Sequence, residues 1–271
     1  MTISRRGALA AVAAGAALAA IGSAPALAAK AHPHGTYFSF TSGAGVTSEY
    51  HVYAKGVDWS KRVGAVFYFD GDHKTKKNSR IHNPGHRDML KMAEHANWRN
   101  MILVGAISTD KKTSDEGMTW WEDIDRNGNW FRALAQHLIK THGLDATRLW
   151  FCGYSGGAEF ITYEVFADRQ SWIKGGGAVM IGGGGCYGMD TSPAAAFKQI
   201  PMRWVVGNRD QVGATSPPTW SATAAAAEGQ GAYRRAGFTK TRTLTIIGDH
   251  LAYDIPKLLE NALNDNGVGR V

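Results

Sequence analysis

The stretch FCGYSGGAEF, residues 151–160, contains the pattern G-x-S-x-G at positions 153–157. As a bare string the pattern is common, and a serine lying incidentally among glycines would produce it too. Its surroundings decide the matter. Residues 148–152 (RLWFC) form a short apolar run of strand type, and residues 157–168 (GAEFITYEVFAD) have helical spacing. A serine on a sharp strand-to-helix turn is held in a strained conformation, so its neighbours must be nearly free of side chains. Gly153 and Gly157 meet that need. The amino terminus of the following helix then lies beneath the serine and favours developing negative charge. Ser155 is the candidate nucleophile.

Working outward, further buried strands are read at 63–69 (VGAVFYF), 101–107 (MILVGAI), 178–181 (AVMI), 202–206 (MRWVV) and 243–247 (TLTII). Helices are expected at about 128–141, 194–199, 222–236 and 255–263. Residues 36–53 alternate without a helix. This order predicts an α/β fold: a mostly parallel central sheet, helices on both faces and an antiparallel N-terminal edge. Sites in such sheets form beyond the carboxyl ends of the strands. Those ends fall at 70–73, 108 onward, 153–157, 182–190, 208–210 and 248–250.

The order of partners tests the serine independently. Where a serine of this kind works with an acid and a histidine, the acid comes next and the histidine last. Nine of the ten histidines precede Ser155, which leaves His250, directly after the strand TLTII. The acid should follow an intervening strand. Asp210, closing MRWVVGNRD, is preferred; Asp190, on the glycine-rich loop after AVMI, is its rival. Asp249 adjoins the histidine and points elsewhere. An oxyanion would be met by the backbone N–H of Gly156 and by one from the turn Asp70-Gly71-Asp72. Gly71 and Asp72 are both candidates, with Asp72 preferred.

The run Asn129-Trp130-Phe131-Arg132-Ala133-Leu134, then Gly143-Leu144-Asp145, then RLWFCGYSGGAEF resembles the serine-esterase branch of the α/β-hydrolase superfamily. The likeness is nearest to secreted polyhydroxyalkanoate-depolymerase-like and feruloyl or acetylxylan esterases, continuous over about 130–168 and thinner elsewhere. It implies an α/β-hydrolase fold, a triad on Ser155, Asp210 and His250, and an oxyanion loop at 70–72. It also implies hydrolysis of a carboxylic ester without a cofactor. One departure is that those loops often carry His-Gly, where this chain has Asp-Gly-Asp. The same residues would serve a secreted acyltransferase on envelope lipids or glycans, or a serine peptidase. A noncatalytic polysaccharide-binding module is the remaining alternative.

Weaker signals surround this core. Trp120 and Trp121 fall on the loop after MILVGAI, as substrate-binding residues at the rim or as loop packing. Tyr154 is a candidate for the acyl pocket. Cys152 and Cys186, the only cysteines, are read either as a bridge bracing the nucleophile turn or as two buried thiols. Asp123 to Gly128 resembles half a calcium loop, but Leu134 stands where the bidentate closing ligand belongs, so a helix-start cluster of acids is preferred. His82 and His86 are separated by Pro84 and Gly85 and cannot share a helix face; a solvated loop is expected there, not a metal site. Gly183, Gly185 and Gly188 match the dinucleotide spacing, yet no helix opens on the last glycine.

The 271 residues suit one large domain after a leader. Ser4-Arg5-Arg6, an alanine-rich apolar run at 8–21 and Ala26-Leu27-Ala28 read as a twin-arginine-like export signal over 1–28, leaving a catalytic domain at 29–271. Loss of Arg5 and Arg6 lowers the formal charge from +7 to +5. No basic stripe interleaved with aromatics suggests nucleic acid, and no later segment reads as a membrane span. The expected protein is secreted or cell-wall associated, acting on a small or polymeric ester.

Overall fold

The structure is a computed structural model that describes residues 32–112, 116–215 and 217–271. The leader read at 1–28 lies outside the described residues. Residues 32–271 form one compact unit. In chain order its elements are β1 (Gly35–Thr41), β2 (Thr47–Tyr53), β3 (Gly64–Phe69), α1 (Arg87–Asn97), β4 (Met101–Ala106), α2 (Ile124–His142), β5 (Leu149–Tyr154), α3 (Gly156–Phe160), β6 (Gly176–Ile181), β7 (Met202–Gly207), α4 (Ala222–Arg235), β8 (Thr241–Ile246) and α5 (Ile255–Asp265). The short α3 runs on into one π turn, Ile161–Val165.

The eight strands make one sheet in the order β1-β2-β4-β3-β5-β6-β7-β8. β1 and β2 are antiparallel to each other and β2 is antiparallel to β4, while every other pairing is parallel. Burial explains the sequence pattern. β3, β4, β5 and β7 are covered on both faces and buried along their whole length, so they read as apolar runs, interrupted only by Arg203 in β7. β8 lies at the edge, half exposed, and carries Thr241, Arg242, Thr243 and Thr245.

Alternation along the strands divides the core in two. Phe67, Phe69, Phe151, Met180 and Trp204 face α2, α3 and α4, where Trp130, Phe131, Leu134, Phe160 and Tyr233 close over them. Val66, Tyr68, Trp150, Cys152, Tyr154 and Val179 face α1 and α5, against Met89, Met92, Leu259 and Leu263. No helix among the described residues is long and apolar enough to cross a membrane.

Four expectations change here. α1 was not foreseen; it follows the loop holding His82 and His86, and His86 caps it by accepting from the N–H of Asp88. The helix read at 194–199 is a single 3-10 turn, Phe197–Gln199. The bridge does not form: Cys152 and Cys186 are both free and buried. Cys152 points toward α1 and α5, whereas Cys186 packs in the opposite core, so the sheet stands between the thiols. Lastly, Trp120 is core and not rim: it is buried, stacks on Phe160 with ring centroids 4.3 Å apart and donates its indole N–H to the Asp70 carbonyl. Asp123, the start of the half calcium loop, is the N-cap of α2, accepting from the N–H of Arg126.

Candidate active site

Ser155 sits between the end of β5 and the start of α3 with φ 50° and ψ −122°. A positive φ is rare for a residue with a side chain and stores about 1–3 kcal/mol of strain. The surroundings impose it. The N–H of Ser155 donates to Ile181 at the end of β6, 2.8 Å away, tying the turn to the next strand. A Cβ on Gly157 would run into the carbonyls of Phe69 and Asp70, and one on Gly153 into the backbone of Gly157. Only side-chain-free residues let the turn lie this close to β3.

The hydroxyl of Ser155 is 2.9 Å from His250 Nε2, and His250 Nδ1 is 2.8 Å from Asp210 Oδ2. Ser155 follows β5, Asp210 follows β7 and His250 follows β8, so three strand ends on one edge of the sheet, with β6 between the first two, supply the three groups. An ionised carboxylate only accepts hydrogen bonds, so Nδ1 carries the proton toward Asp210. In the neutral ring Nε2 is then the acceptor, aimed at the serine O–H. Asp210 is fully buried and His250 nearly so. Asp190, by contrast, is exposed and its N–H bonds Ala167; Asp249 is exposed and caps its own turn at Leu251.

Two buried tyrosines hold this arrangement. Tyr253 donates its hydroxyl to Asp210 Oδ2 at 2.6 Å and accepts from the N–H of Gly207 at 2.8 Å. Burial and the bond to Asp210 push its phenol well above the ordinary range, so it stays a donor. Asp210 Oδ1 has no partner among the described residues, so the carboxylate is oriented entirely through its other oxygen. Tyr154 stacks beneath the His250 ring at 5.2 Å and donates to the His250 carbonyl at 2.8 Å. It is buried on the α1 and α5 side of the sheet, so the expected acyl-pocket role is replaced by support of the histidine. Nothing around Tyr253 in the sequence announces it, beyond a position three residues after His250.

The turn after β3 is organised by Asp70. Its carboxylate accepts from the Tyr68 hydroxyl, the Gly71 N–H and Arg80 Nη1 on Oδ1. On Oδ2 it accepts from His73 Nε2, the Ser79 hydroxyl and the N–H groups of Arg80 and Ile81. Burial alone would raise its pKa, but the bond and charge of His73, the charge of Arg80 and the Tyr68 bond outweigh it and hold the carboxyl well below the usual range. The Gly71 N–H is thereby taken up and is not available to a ligand, which corrects that candidate. The N–H groups of Asp72 and Gly156 have no partner among the described residues.

A cleft of about 250 Å³ opens on Ser155, lined by Asp72, Trp121, Gly156, Glu159, Tyr163, Pro217 and Trp220. Trp121 lies in its wall and donates to Asp72 Oδ2 at 3.0 Å. Trp220 meets the His250 ring edge-on at 5.7 Å. Glu159, one turn beyond the serine, accepts from the N–H groups of Gly184 and Gly185, which fixes the glycine-rich loop; the dinucleotide-like spacing is this carboxylate's anchor. Glu159, Tyr163, Pro217 and Trp220 escaped sequence reasoning, although Glu159 and Tyr163 recur at helical spacing after the serine. A larger groove, of about 590 Å³, lies far along the sheet between β2 and α1 and touches none of these residues.

No protein-family model and no curated protein matches the sequence. Among solved structures the chain is similar to a carboxylesterase from Mesorhizobium loti, with 16% identity, TM-score 0.56, and 80% of this chain and 94% of that one covered. It is also similar to LpqC, a poly(3-hydroxybutyrate) depolymerase from Bordetella parapertussis, with 14% identity, TM-score 0.56 and coverage of 87% and 91%. A third is XC6422 from Xanthomonas campestris, an α/β serine hydrolase without a lid, with 12% identity, TM-score 0.50 and coverage of 86% and 94%. The chain has the α/β-hydrolase fold.

Proposed function

We propose that this chain is a serine hydrolase that cleaves carboxylic esters through an acyl-enzyme on Ser155. The observation that carries the reading is the continuous line from the Ser155 hydroxyl through the His250 ring to the buried Asp210 carboxylate. His250 Nε2 takes the serine proton as Oγ attacks the ester carbonyl carbon. The imidazolium that results is held against Asp210, and the proton then passes to the departing alkoxide. Water, deprotonated by the same nitrogen, resolves the acyl-enzyme. The developing oxyanion is met by the free N–H groups of Gly156 and Asp72; a single donor of this kind contributes about 3–4 kcal/mol in comparable sites. The carboxylesterase and the poly(3-hydroxybutyrate) depolymerase that share the fold favour an ester as substrate. The leader at 1–28 supports action outside the cytoplasm.

A fluorophosphonate probe tests the reading. It should label Ser155, and labelling should vanish in both Ser155→Ala and His250→Ala. Ester turnover should fall by several orders of magnitude in Ser155→Ala. Labelling elsewhere, or turnover that survives Ser155→Ala, would remove Ser155 as nucleophile. Product analysis with an added alcohol separates hydrolysis from acyl transfer, and a matched amide separates esterase from peptidase.

A further inference from the structure

The cleft beside Ser155 departs in charge from the rest of the chain. The protein carries a formal charge of +7, yet the cleft lining includes Asp72 and Glu159 and no lysine or arginine. Crowding by protein pushes the Asp72 carboxyl up to about 6, although the residue remains open to solvent; the charges of Asp110 and Asp70 push the same way, against Trp121 and His73. Burial pushes Glu159 up to about 7, with Glu228 and Asp72 adding to it and the two glycine N–H groups opposing. Neither carboxyl has a lysine or arginine beside it in the cleft lining.

Part of the hydrogen-bonding capacity of this cleft is used internally. Each Glu159 oxygen already accepts from a backbone N–H, Asp72 Oδ2 accepts from Trp121, and the Tyr163 hydroxyl donates to Glu228. The two carboxyls share the cleft with the rings of Trp121 and Tyr163, edge to face with centroids 6.1 Å apart, and with Trp220. A substituted ammonium needs only charge and π faces. The Asp72 carboxylate also lies against Gly156, where a Cβ would collide with it. Ionised, it opposes an oxyanion at the Gly156 N–H unless positive charge enters with the substrate.

Resting on the ester-hydrolase reading, we infer that this cleft selects esters bearing a substituted ammonium group, with Asp72 as the specificity-determining residue. The test uses two matched pairs of short esters. In one the alcohol carries trimethylammonium or its uncharged tert-butyl isostere; in the other the acyl chain does. At about pH 8 both carboxyls are ionised. The cationic member of at least one pair should then show kcat/KM about tenfold higher, and Asp72→Asn should bring that ratio toward one. Neutral esters turned over as well as cationic ones would overturn the inference and leave the esterase reading intact. A cation preference that survives Asp72→Asn would overturn the role of Asp72. Should no ester be turned over, tryptophan fluorescence of Ser155→Ala titrated with choline and with its carbon isostere decides binding alone. Tighter binding of choline supports the inference, and equal or weaker binding overturns it.

Discussion

Replacing Asp70 by Asn tests whether the turn after β3 is held by a charge. The carboxylate is fully desolvated and accepts seven hydrogen bonds, three on Oδ1 and four on Oδ2. An amide of the same shape must point its NH2 at one of these sets. Turned toward the Oδ2 side it faces the N–H groups of Arg80 and Ile81; turned toward the Oδ1 side it faces the Gly71 N–H and the Arg80 guanidinium. The second orientation is cheaper because the Tyr68 hydroxyl can rotate to accept. It still strands a backbone N–H and leaves the half-buried Arg80 without part of its counter-charge. Each stranded donor costs about 1–3 kcal/mol, and breaking a buried ion pair about 3–5 kcal/mol. We expect a loss of roughly 3–5 kcal/mol in urea unfolding at neutral pH, and at least a tenfold fall in kcat as Gly71 and Asp72 shift. The pH dependence has a definite sign. The folded pKa of Asp70 lies below its unfolded value of about 3.9. Its stabilisation is therefore complete above that value and is lost as pH falls toward the folded pKa, so the gap between wild type and variant should narrow below about pH 4. An Asp70→Asn protein with unchanged unfolding midpoint and unchanged kcat would refute the reasoning.

Tyr253→Phe removes the donor to Asp210 and strands the Gly207 N–H; stability should fall by roughly 2–3 kcal/mol and kcat about tenfold, read by urea unfolding and ester turnover. A stable, fully active variant would show that Asp210 needs no second anchor. The cysteines should titrate as two free thiols in denaturant without reductant, and neither should react in the native protein, since burial pushes Cys152 up to about 12 and Cys186 up to about 11. A reductant-dependent melting temperature would contradict this.

The central strands are legible in the sequence because burial on both faces leaves them almost wholly apolar, Arg203 in β7 being the exception. α1 was hidden although Met89, Met92, Ala93 and Ala96 mark a helical face, because charged residues fill the positions between and a proline-glycine loop precedes them. The order of Ser155, Asp210 and His250 could be read because each follows its own strand. Contacts made by side-chain direction could not. Trp120 and Trp121 are neighbours in sequence, yet one turns into the core and the other into the cleft. The cysteines fail to meet through strand parity, which needs the register of β5. Tyr253 reaches Asp210 across forty-three residues, a relation that exists only after the sheet is assembled.

Gly157 leaves no gap between the nucleophile turn and the carbonyls of Phe69 and Asp70. The serine and the donor-bearing turn therefore move as one anvil, assembled before any substrate arrives. Adaptation to new substrates must come from the outlying segments that carry Trp121, Pro217 and Trp220, where a change of shape need not disturb the reacting atoms. Combinatorial libraries confined to those positions should retain turnover while altering preference, and libraries at 70, 153 or 157 should yield mostly dead protein.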